Sequence, residues 1–549
     1  MTIPLAGSRP GPRAGRLLAI VAATALSLTA CSSVGSDGSS GSKASGDSVG
    51  STATGVKNGG TLTIALSAEP DFLDPTLAGS LYSRYIFNAM CEKLYDLNKD
   101  VRIVPQLAKS LPETSADGKT VTIPLRTGIK FADGTPFNAE AVKTSLERDL
   151  TNPQSARVSE LGPIASVEAT DATTVTIHLK TPFAPLTAAL ADRSGMVMSP
   201  KQLKAKGDDF GQAPVCVGPF KFAKRVPQNS IDLVKDPNYY DAKKVHLDRI
   251  VYRIITDSGI RSANLKSGDA QVADTLSTND VPSLKQETKL SVLESPSLGY
   301  QGVTFNVGNA AGVGKPTKTL DQPYAKDPRI RQAFEYAVDR KALVDNVFDG
   351  LFETACGPVA PQSEFSTDAV QQCRAADPAK AKSLLKAAGV KTPYTLTLLA
   401  TNTPDSLQLA QALQAMVKPS GFNLKIEPVE FTALLDQQDA GKFQMLQLGW
   451  SGRVDPDANT TNFVGTGGSQ NVAGYTNPAV DKLLDQARQS QSVDERAAIY
   501  GQLQKKLQQD DPLIYLYRQR NLTGVSKTVS GVQVYADGLI RAAFAGYRK

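Results

Sequence analysis

Histidine and tryptophan are scarce in this 549-residue chain, which contains two histidines and one tryptophan. His178 lies in a predicted strand and His246 follows two lysines, so neither takes part in a pattern typical of a catalytic triad or a metal site. The chain also lacks a strong excess of charge of one sign: its net charge is only +6, and the basic residues form no continuous run. This composition argues against nucleic-acid binding.

Two short motifs come close to enzyme signatures and miss them. Residues 449–453 (GWSGR) would need a glycine in place of Arg453 to form a nucleophile elbow. Residues 309–316 have Asn309 and Pro316 where a phosphate-binding loop needs glycine and serine or threonine. We therefore expect a protein that is not an enzyme and that has no cofactor and no metal.

The N-terminus has the pattern of an export signal. Three arginines, Arg9, Arg13 and Arg16, precede an apolar run at residues 17–30 that is too short to span a membrane. The run ends in Leu-Thr-Ala-Cys, which resembles the lipobox of bacterial lipoproteins, in which the cysteine is diacylated. The resemblance predicts lipidation of Cys31; an ordinary signal peptide cleaved near residue 30 is the alternative. Two acyl chains would anchor the protein stably to the outer face of the bacterial cytoplasmic membrane.

Residues 32–60 are dominated by small polar residues. Nine serines and eight glycines occur among these 29 residues. Such a segment buries little apolar surface and behaves as a flexible coil. We expect residues 31–60 to form a flexible linker behind the lipidated cysteine.

The most informative stretch of the chain runs from residue 117 to residue 148. Alternating apolar residues predict a strand at 120–125 between two Asp-Gly turns, and Pro124 suggests a sheet edge. A helix is predicted from Ala139 to about Leu150, capped by Asn138. Strands are likewise predicted at 61–66 and 174–179, and single helices at 86–96 and 327–347.

Residues 128–142 (GIKFADGTPFNAEAV) resemble the signature of the solute-binding proteins of peptide and nickel ABC transporters, family 5, of the dipeptide and oligopeptide type. Further segments similar to this family follow in the expected order. They are VPQLA at 104–108, GPF at 218–220, DPNYY at 236–240 and DPRIRQAFEYAVDR at 327–340. The resemblance extends over residues 60–520.

This resemblance implies an α/β fold with two lobes, the type II periplasmic-binding-protein fold, and an extra small α+β domain in the first lobe. The expected division is a signal peptide at 1–30, the lipidated cysteine and linker at 31–60, the first lobe at 61–100 and 215–295, the small domain at 101–214, the second lobe at 296–511, and a return to the first lobe at 512–549.

Candidate ligand-binding residues also follow from the resemblance. Ser80 and Leu81 lie a few residues beyond a Leu-Asp-Pro segment whose surroundings line the cleft in the family. The family places a tryptophan beside the ligand, here Trp450, and peptide binders often have an aspartate three residues later. That position is Arg453 here, whose guanidinium suits carboxylates, phosphates or carbonyl groups. Asp455 and Tyr300 complete the set; pairing of Arg453 with Asp455 or Asp457 is the structural alternative.

The four remaining cysteines allow three pairings. Cys356 and Cys373 lie close together around a proline-containing loop, and we favour a disulfide between them, which leaves Cys91 with Cys216. Four free thiols are the alternative, which export disfavours.

The sequence therefore predicts a tethered, extracytoplasmic substrate-binding lipoprotein of an ABC importer. The resemblance implies capture of a peptide or peptide-like solute between the lobes and delivery to permease subunits driven by cytoplasmic ATPases. We expect a monomer with no nucleic-acid partner. A binder of nickel, a metal chelate or an anionic small molecule, and an envelope scaffold without transport, are the alternatives.

Overall fold

Two mixed β-sheets form the frame of the computed structural model, which describes residues 48–549. The first-lobe sheet contains, in spatial order, the strands Leu290–Ser295, Asn521–Ser526, Val272–Ala273, Thr61–Leu66, Arg249–Ile254, Ser230–Lys235 and Phe220–Val226. The second-lobe sheet contains Glu353–Thr354, Leu513–Arg518, Tyr300–Phe305, Met445–Trp450, Tyr394–Thr401 and Phe422–Val429. Because each sheet packs against its own helices, the chain has the two-lobed α/β architecture expected from the sequence.

Two short segments join the lobes, at residues 296–299 and 519–520. The strands that flank them are neighbours in both lobes: Ser295 pairs with Asn521 in the first-lobe sheet, and Gln301 pairs with Tyr517 in the second-lobe sheet. The chain thus leaves and re-enters each lobe at one place.

The return to the first lobe starts later than predicted. Residues 513–518 pair with Tyr300–Phe305 inside the second-lobe sheet, so this strand belongs to the second lobe. The change of lobe occurs after Arg518, where Asn521–Ser526 joins the first-lobe sheet. The apolar strand could be recognised in the sequence, but its pairing partner could not.

A third, smaller sheet lies in the part of the chain predicted as the small domain. Its order is Glu113–Thr114, Thr120–Pro124, Thr174–Leu179 and Ile164–Asp171, and helix Ala139–Thr151 packs on it. Asn138 caps this helix by accepting a hydrogen bond from the backbone of Ala141. The strand predicted at an edge is internal instead, because it pairs with Glu113–Thr114 on one side and with Thr174–Leu179 on the other. Pro124 is tolerated there because the short partner Glu113–Thr114 ends before it reaches this residue.

Two predicted helices have different limits in the structure. The helix expected at 86–96 is Leu81–Met90, because Cys91 is extended and residues 95–97 form a strand. The helix expected at 327–347 is two helices, Pro328–Tyr336 and Arg340–Val347. Asp339 has an extended backbone and caps the second of them, which separates the two.

The remaining helices, besides the four already described, have the following bounds. In the first lobe and small domain they are Val158–Leu161, Leu186–Ala189, Pro200–Lys206, Ser258–Ser267 and Val281–Gln286; in the second lobe they are Pro323–Lys326, Asp368–Gln371, Pro378–Ala387, Pro404–Val417, Phe431–Asp439, Asp457–Val464, Pro478–Gln489 and Val493–Asp510. Within residues 48–549, no helix combines the length and the apolar character that crossing a bilayer requires.

Part of the predicted flexible linker, residues 48–60, belongs to the folded first lobe. Ser48 pairs with Glu294 of the first lobe, and Val56–Lys57 pairs with the C-terminal strand Gly546–Arg548. These hydrogen bonds place residues 48–60 on the first lobe. Cys31 and the predicted signal peptide lie outside the described residues.

Two disulfides join the cysteines of the described chain, Cys91 to Cys216 and Cys356 to Cys373. The first ties the end of helix Leu81–Met90 to the segment that leaves the small domain. The second closes a local loop in the second lobe.

Candidate functional site

A cavity of about 1090 Å³ lies between the two lobes. Both lobes, the small domain and both connecting segments contribute to its wall. The volume lies at the upper end of the range for small-molecule sites, so a solute larger than a single amino acid can be enclosed.

The first-lobe wall is held in place by Asp71. Its carboxylate accepts hydrogen bonds from the backbone of Gly79 (2.6 Å) and Ser80 (3.0 Å) and from the Ser80 hydroxyl (2.7 Å). The same hydroxyl accepts a hydrogen bond from the backbone of Ser83 and so caps helix Leu81–Met90. Ser80 and Leu81, both predicted to bind the ligand, line the cavity together with Asp71.

The second-lobe wall is built where parallel strands end. Tyr394–Thr401 leads into helix Pro404–Val417, and Phe422–Val429 leads into helix Phe431–Asp439. Both helices begin at the cavity, and the second runs along it. Crevices at the carboxyl ends of such strands are the usual ligand sites of open α/β sheets.

Trp450 and Tyr300, both predicted to bind the ligand, lie opposite each other on paired strands and line the cavity. The indole N–H of Trp450 donates a hydrogen bond to the Asn459 side chain (2.9 Å), and its ring packs edge-on against Phe463. Tyr300 packs edge-on against Phe463 and Tyr515. These contacts fix the orientation of both rings, which form a rigid aromatic part of the wall.

Arg453 lies outside the cavity, contrary to its expected place against the ligand. Its guanidinium packs on the Trp450 ring, 4.2 Å from the ring centroid, and forms an ion pair with Asp192 of the small domain. Arg84 donates a hydrogen bond to the other carboxylate oxygen of Asp192 (3.0 Å). Burial by itself would raise the pKa of Asp192, but the guanidinium groups of Arg453 and Arg84 outweigh it and hold this pKa well below its usual range.

Asp455 is also turned away from the cavity. Both of its carboxylate oxygens accept hydrogen bonds from Arg496, at 2.8 and 2.6 Å. Asp457 pairs in the same way with Arg488. Arg453 therefore has an acidic partner within the protein, as the structural alternative predicted. The partner is Asp192, however, because Asp455 pairs with Arg496 and Asp457 pairs with Arg488.

Several contacts join the lobes around the cavity. Besides the pair of Arg453 with Asp192, the Ser277 hydroxyl of the first lobe donates to Asp405 of the second (2.8 Å), and Tyr82 packs edge-on against Phe431 with 5.5 Å between ring centroids. The lobes are thus closed upon each other on several sides of the cavity.

The single tryptophan makes intrinsic fluorescence a direct report on this cavity. Because the Trp450 side chain is only 8% exposed, we expect acrylamide to quench its emission weakly in the native protein and strongly after unfolding. A solute entering the cavity should alter the emission intensity. Trp450→Phe, the control, should abolish the signal; strong quenching of the native protein would contradict this environment of the ring.

Comparison with known proteins decides the family. The family profile described as bacterial extracellular solute-binding proteins, family 5 Middle, matches residues 102–471. The chain belongs to this family. As a family 5 solute-binding protein, it has its enclosed cavity where a solute is to be expected, between the lobes.

Relatives of this family 5 protein span most of its length. It is 30% identical to the glutathione-binding protein GsiB of Pectobacterium atrosepticum over 87% of this chain and 92% of that protein. The structure is similar to AgaA of A. tumefaciens R10 in complex with agropinic acid, with a TM-score of 0.78, 28% identity and coverage of 88% and 96% of the two chains. It is also similar to DppA of Helicobacter pylori in complex with the peptide STSA, with a TM-score of 0.80, 25% identity and coverage of 90% and 99%.

Sequence reasoning missed several polar residues of the wall of this family 5 protein. Asp405, Asp436, Asp439 and Gln447 all line the cavity from the second lobe. A usable signal was present in the alternation of strands and helices over residues 394–439, which is typical of parallel strands whose carboxyl ends lead into helices. The aspartates themselves look like those of any solvent-facing helix.

Proposed function

We propose that this protein is an extracytoplasmic substrate-binding lipoprotein of an ABC importer that captures a peptide or peptide-like solute between its lobes. The cavity of about 1090 Å³, walled by both lobes, is the observation that carries the proposal. A solute that contacts both walls at once stabilises the closed state, and a permease can recognise that state.

The character of the wall favours a peptide-like solute. Aromatic and aliphatic side chains, including Phe348, Tyr517 and Leu409, alternate with hydroxyl and amide groups such as Thr304 and Gln301. Such a wall can accommodate apolar side chains and hydrogen-bond to amide groups. Glutathione and the peptide STSA, named for two of the relatives, are both peptides.

Binding can be tested with the full chain, extracted from membranes in mild detergent and purified without denaturation. Native mass spectrometry should reveal a bound mass that fragments into amino acids. Calorimetric titration with Ser-Thr-Ser-Ala, glutathione and a nickel–histidine complex should give binding heat with at least one peptide. A non-peptide mass, or heat with the nickel complex alone, would contradict peptide capture.

The lipid anchor is tested at Cys31. We expect Cys31→Ala to abolish acylation and to move the protein from the detergent phase to the aqueous phase, because two acyl chains supply the stable anchoring. Mass spectrometry of the N-terminal peptide would show the loss of the acyl mass. The neighbouring Ser32→Ala variant is the control and should remain acylated; a Cys31→Ala protein that still partitions with detergent would argue against the anchor.

A further inference from the structure

Four arginines lie buried behind the cavity wall together with only two carboxylates. All six side chains belong to residues that are less than one-tenth exposed. Because guanidinium groups remain protonated in proteins, four positive charges meet two negative ones. The carboxylates are Asp192 and Glu160, and the arginines, which we call the arginine cluster, are Arg84, Arg157, Arg193 and Arg453.

Both carboxylates already have arginine partners. Asp192 pairs with Arg84 and Arg453, as described above, and Glu160 accepts a hydrogen bond from Arg157 (2.7 Å). The cluster lacks acceptors as well as negative charge, because three of its N–H groups are buried without a partner. These groups are Nε of Arg157, Nε of Arg193 and Nη2 of Arg453.

The charged groups nearby do not supply the missing negative charge. Asp71 of the wall accepts its hydrogen bonds from residues 79–83, and no arginine of the cluster pairs with it in the described chain. Asp149 accepts a hydrogen bond from Thr76, and burial raises its pKa to about 7, so its charge is incomplete at neutral pH. Two further ion pairs cancel internally; they join Lys93 to Asp96 and Arg541 to Asp537.

Crowding of like charges affects the arginines themselves. Burial, and then the guanidinium of Arg84, hold the pKa of Arg453 well below its usual range. Burial, and then Arg157, lower the pKa of Arg193 to about 10, although Asp192 opposes them. A further negative charge beside the cluster would relieve both arginines.

Ser451 connects the arginine cluster to the cavity. Its hydroxyl oxygen accepts hydrogen bonds from Nη1 of Arg84 and Nη1 of Arg453, both at 3.2 Å, and the residue lines the cavity. Because a hydroxyl oxygen has two lone pairs, these two bonds leave its own proton as the remaining hydrogen-bonding group. Within residues 48–549 no acceptor takes that proton, so it can serve a group inside the cavity.

From this arrangement we propose that Ser451 donates a hydrogen bond to a carboxylate of the bound solute. Two guanidinium groups polarise the Ser451 O–H bond, and the carboxylate supplies the negative charge that the cluster lacks. A neutral carbonyl group could accept the same hydrogen bond but would leave the excess positive charge in place. Arg453 thus favours an anionic group, as its guanidinium suggested, but it acts through Ser451 from outside the cavity.

This inference rests on the proposed function and deepens it, since a peptide offers its C-terminal carboxylate. The test compares two mixtures of random tetrapeptides on the full chain, one with free C-terminal carboxylates and one with C-terminal amides, and follows binding by Trp450 emission. We expect the free acids to bind at least roughly tenfold more tightly. Ser451→Ala should lose most of that preference and bind the amides as the wild type does. Ser383→Ala, which removes an exposed hydroxyl of the second lobe, is the matched control.

The outcomes separate the two proposals. Equal binding of acids and amides, or an unchanged preference in Ser451→Ala at an unchanged unfolding midpoint, would overturn the carboxylate inference and leave peptide capture standing. Inorganic phosphate is the second probe. If phosphate raises the unfolding midpoint of the wild type but not of Ser451→Ala, and the two mixtures bind equally, a free anion occupies the site and the assignment to the solute is wrong. Failure of both mixtures to bind would overturn both proposals.

Discussion

Replacing Arg453 with methionine should shift the protein from the closed to the open arrangement of its lobes. The variant keeps the packing on Trp450 but removes the buried ion pair that joins the second lobe to Asp192. Because Asp192 keeps Arg84 as a partner, the variant loses one charge-assisted contact, about 1.5 to 3 kcal/mol, which corresponds to a roughly ten- to hundredfold change in the closed-to-open ratio. Small-angle scattering should show a larger radius of gyration, and acrylamide should quench Trp450 more strongly.

The same variant should affect closure more than folding. Asp192 keeps Arg84 as a partner within the first lobe, so no isolated charge remains there after the substitution. Arg496→Met is the matched control, because it breaks the buried pair with Asp455 inside the second lobe. It should lower the unfolding midpoint without changing the radius of gyration. An Arg453→Met protein as compact as the wild type would show that this pair does not hold the lobes together.

Removing the disulfide between Cys91 and Cys216 should be the most destabilising change of covalent structure. The two cysteines are 125 residues apart, and the loop-closure estimate gives a loss of about 5 kcal/mol in the free energy of unfolding. The double alanine variant leaves no unpaired thiol because it replaces both cysteines. It exposes little new polar surface because both positions are buried. Denaturant unfolding under non-reducing conditions, which keep the disulfides of the wild-type protein intact, would measure the loss.

The second disulfide provides the comparison. Cys356 and Cys373 are 17 residues apart, and the same estimate gives about 3 kcal/mol for their double alanine variant. The order of the two losses is the informative result. A larger loss from Cys356 and Cys373 would mean that native packing, rather than the constraint on the unfolded chain, determines what each bridge contributes.

Local pattern determined which parts of the fold could be predicted. The strands at 61–66 and 174–179 have the predicted limits, because strict alternation of side chains specifies a half-buried strand. Helix Ala139–Thr151 begins where predicted, because the Asn138 side chain caps it through a hydrogen bond to a residue three positions away. The break before Arg340 was missed, since the apolar spacing continues through it and only three residues, 337–339, separate the two helices.

At the cavity, the features that could not be predicted from the sequence depend on contacts between residues far apart in the chain. The resemblance placed both Trp450 and Arg453 against the ligand, but in the structure Arg453 packs on the Trp450 ring outside the cavity. The sequence could not show that Asp192, far away in the chain, pairs with Arg453 and keeps it out of the cavity. Nor could it show that Asp436 and Asp439 face a cleft rather than bulk water, because a helix has the same periodicity in either position.

The pairing of Ser295 with Asn521 has a consequence for how this protein could be recombined. The two residues are neighbours on adjacent antiparallel strands about 4.8 Å apart, a gap that a two-residue turn such as Asn-Gly can span. In topological terms, Leu290–Ser295 and Asn521–Ser526 form an antiparallel hairpin, and the entire second lobe is inserted between its two strands. Two cuts at this point would exchange that lobe, and with it the pair Asp436 and Asp439, for the corresponding lobe of a relative while leaving the first-lobe sheet unbroken.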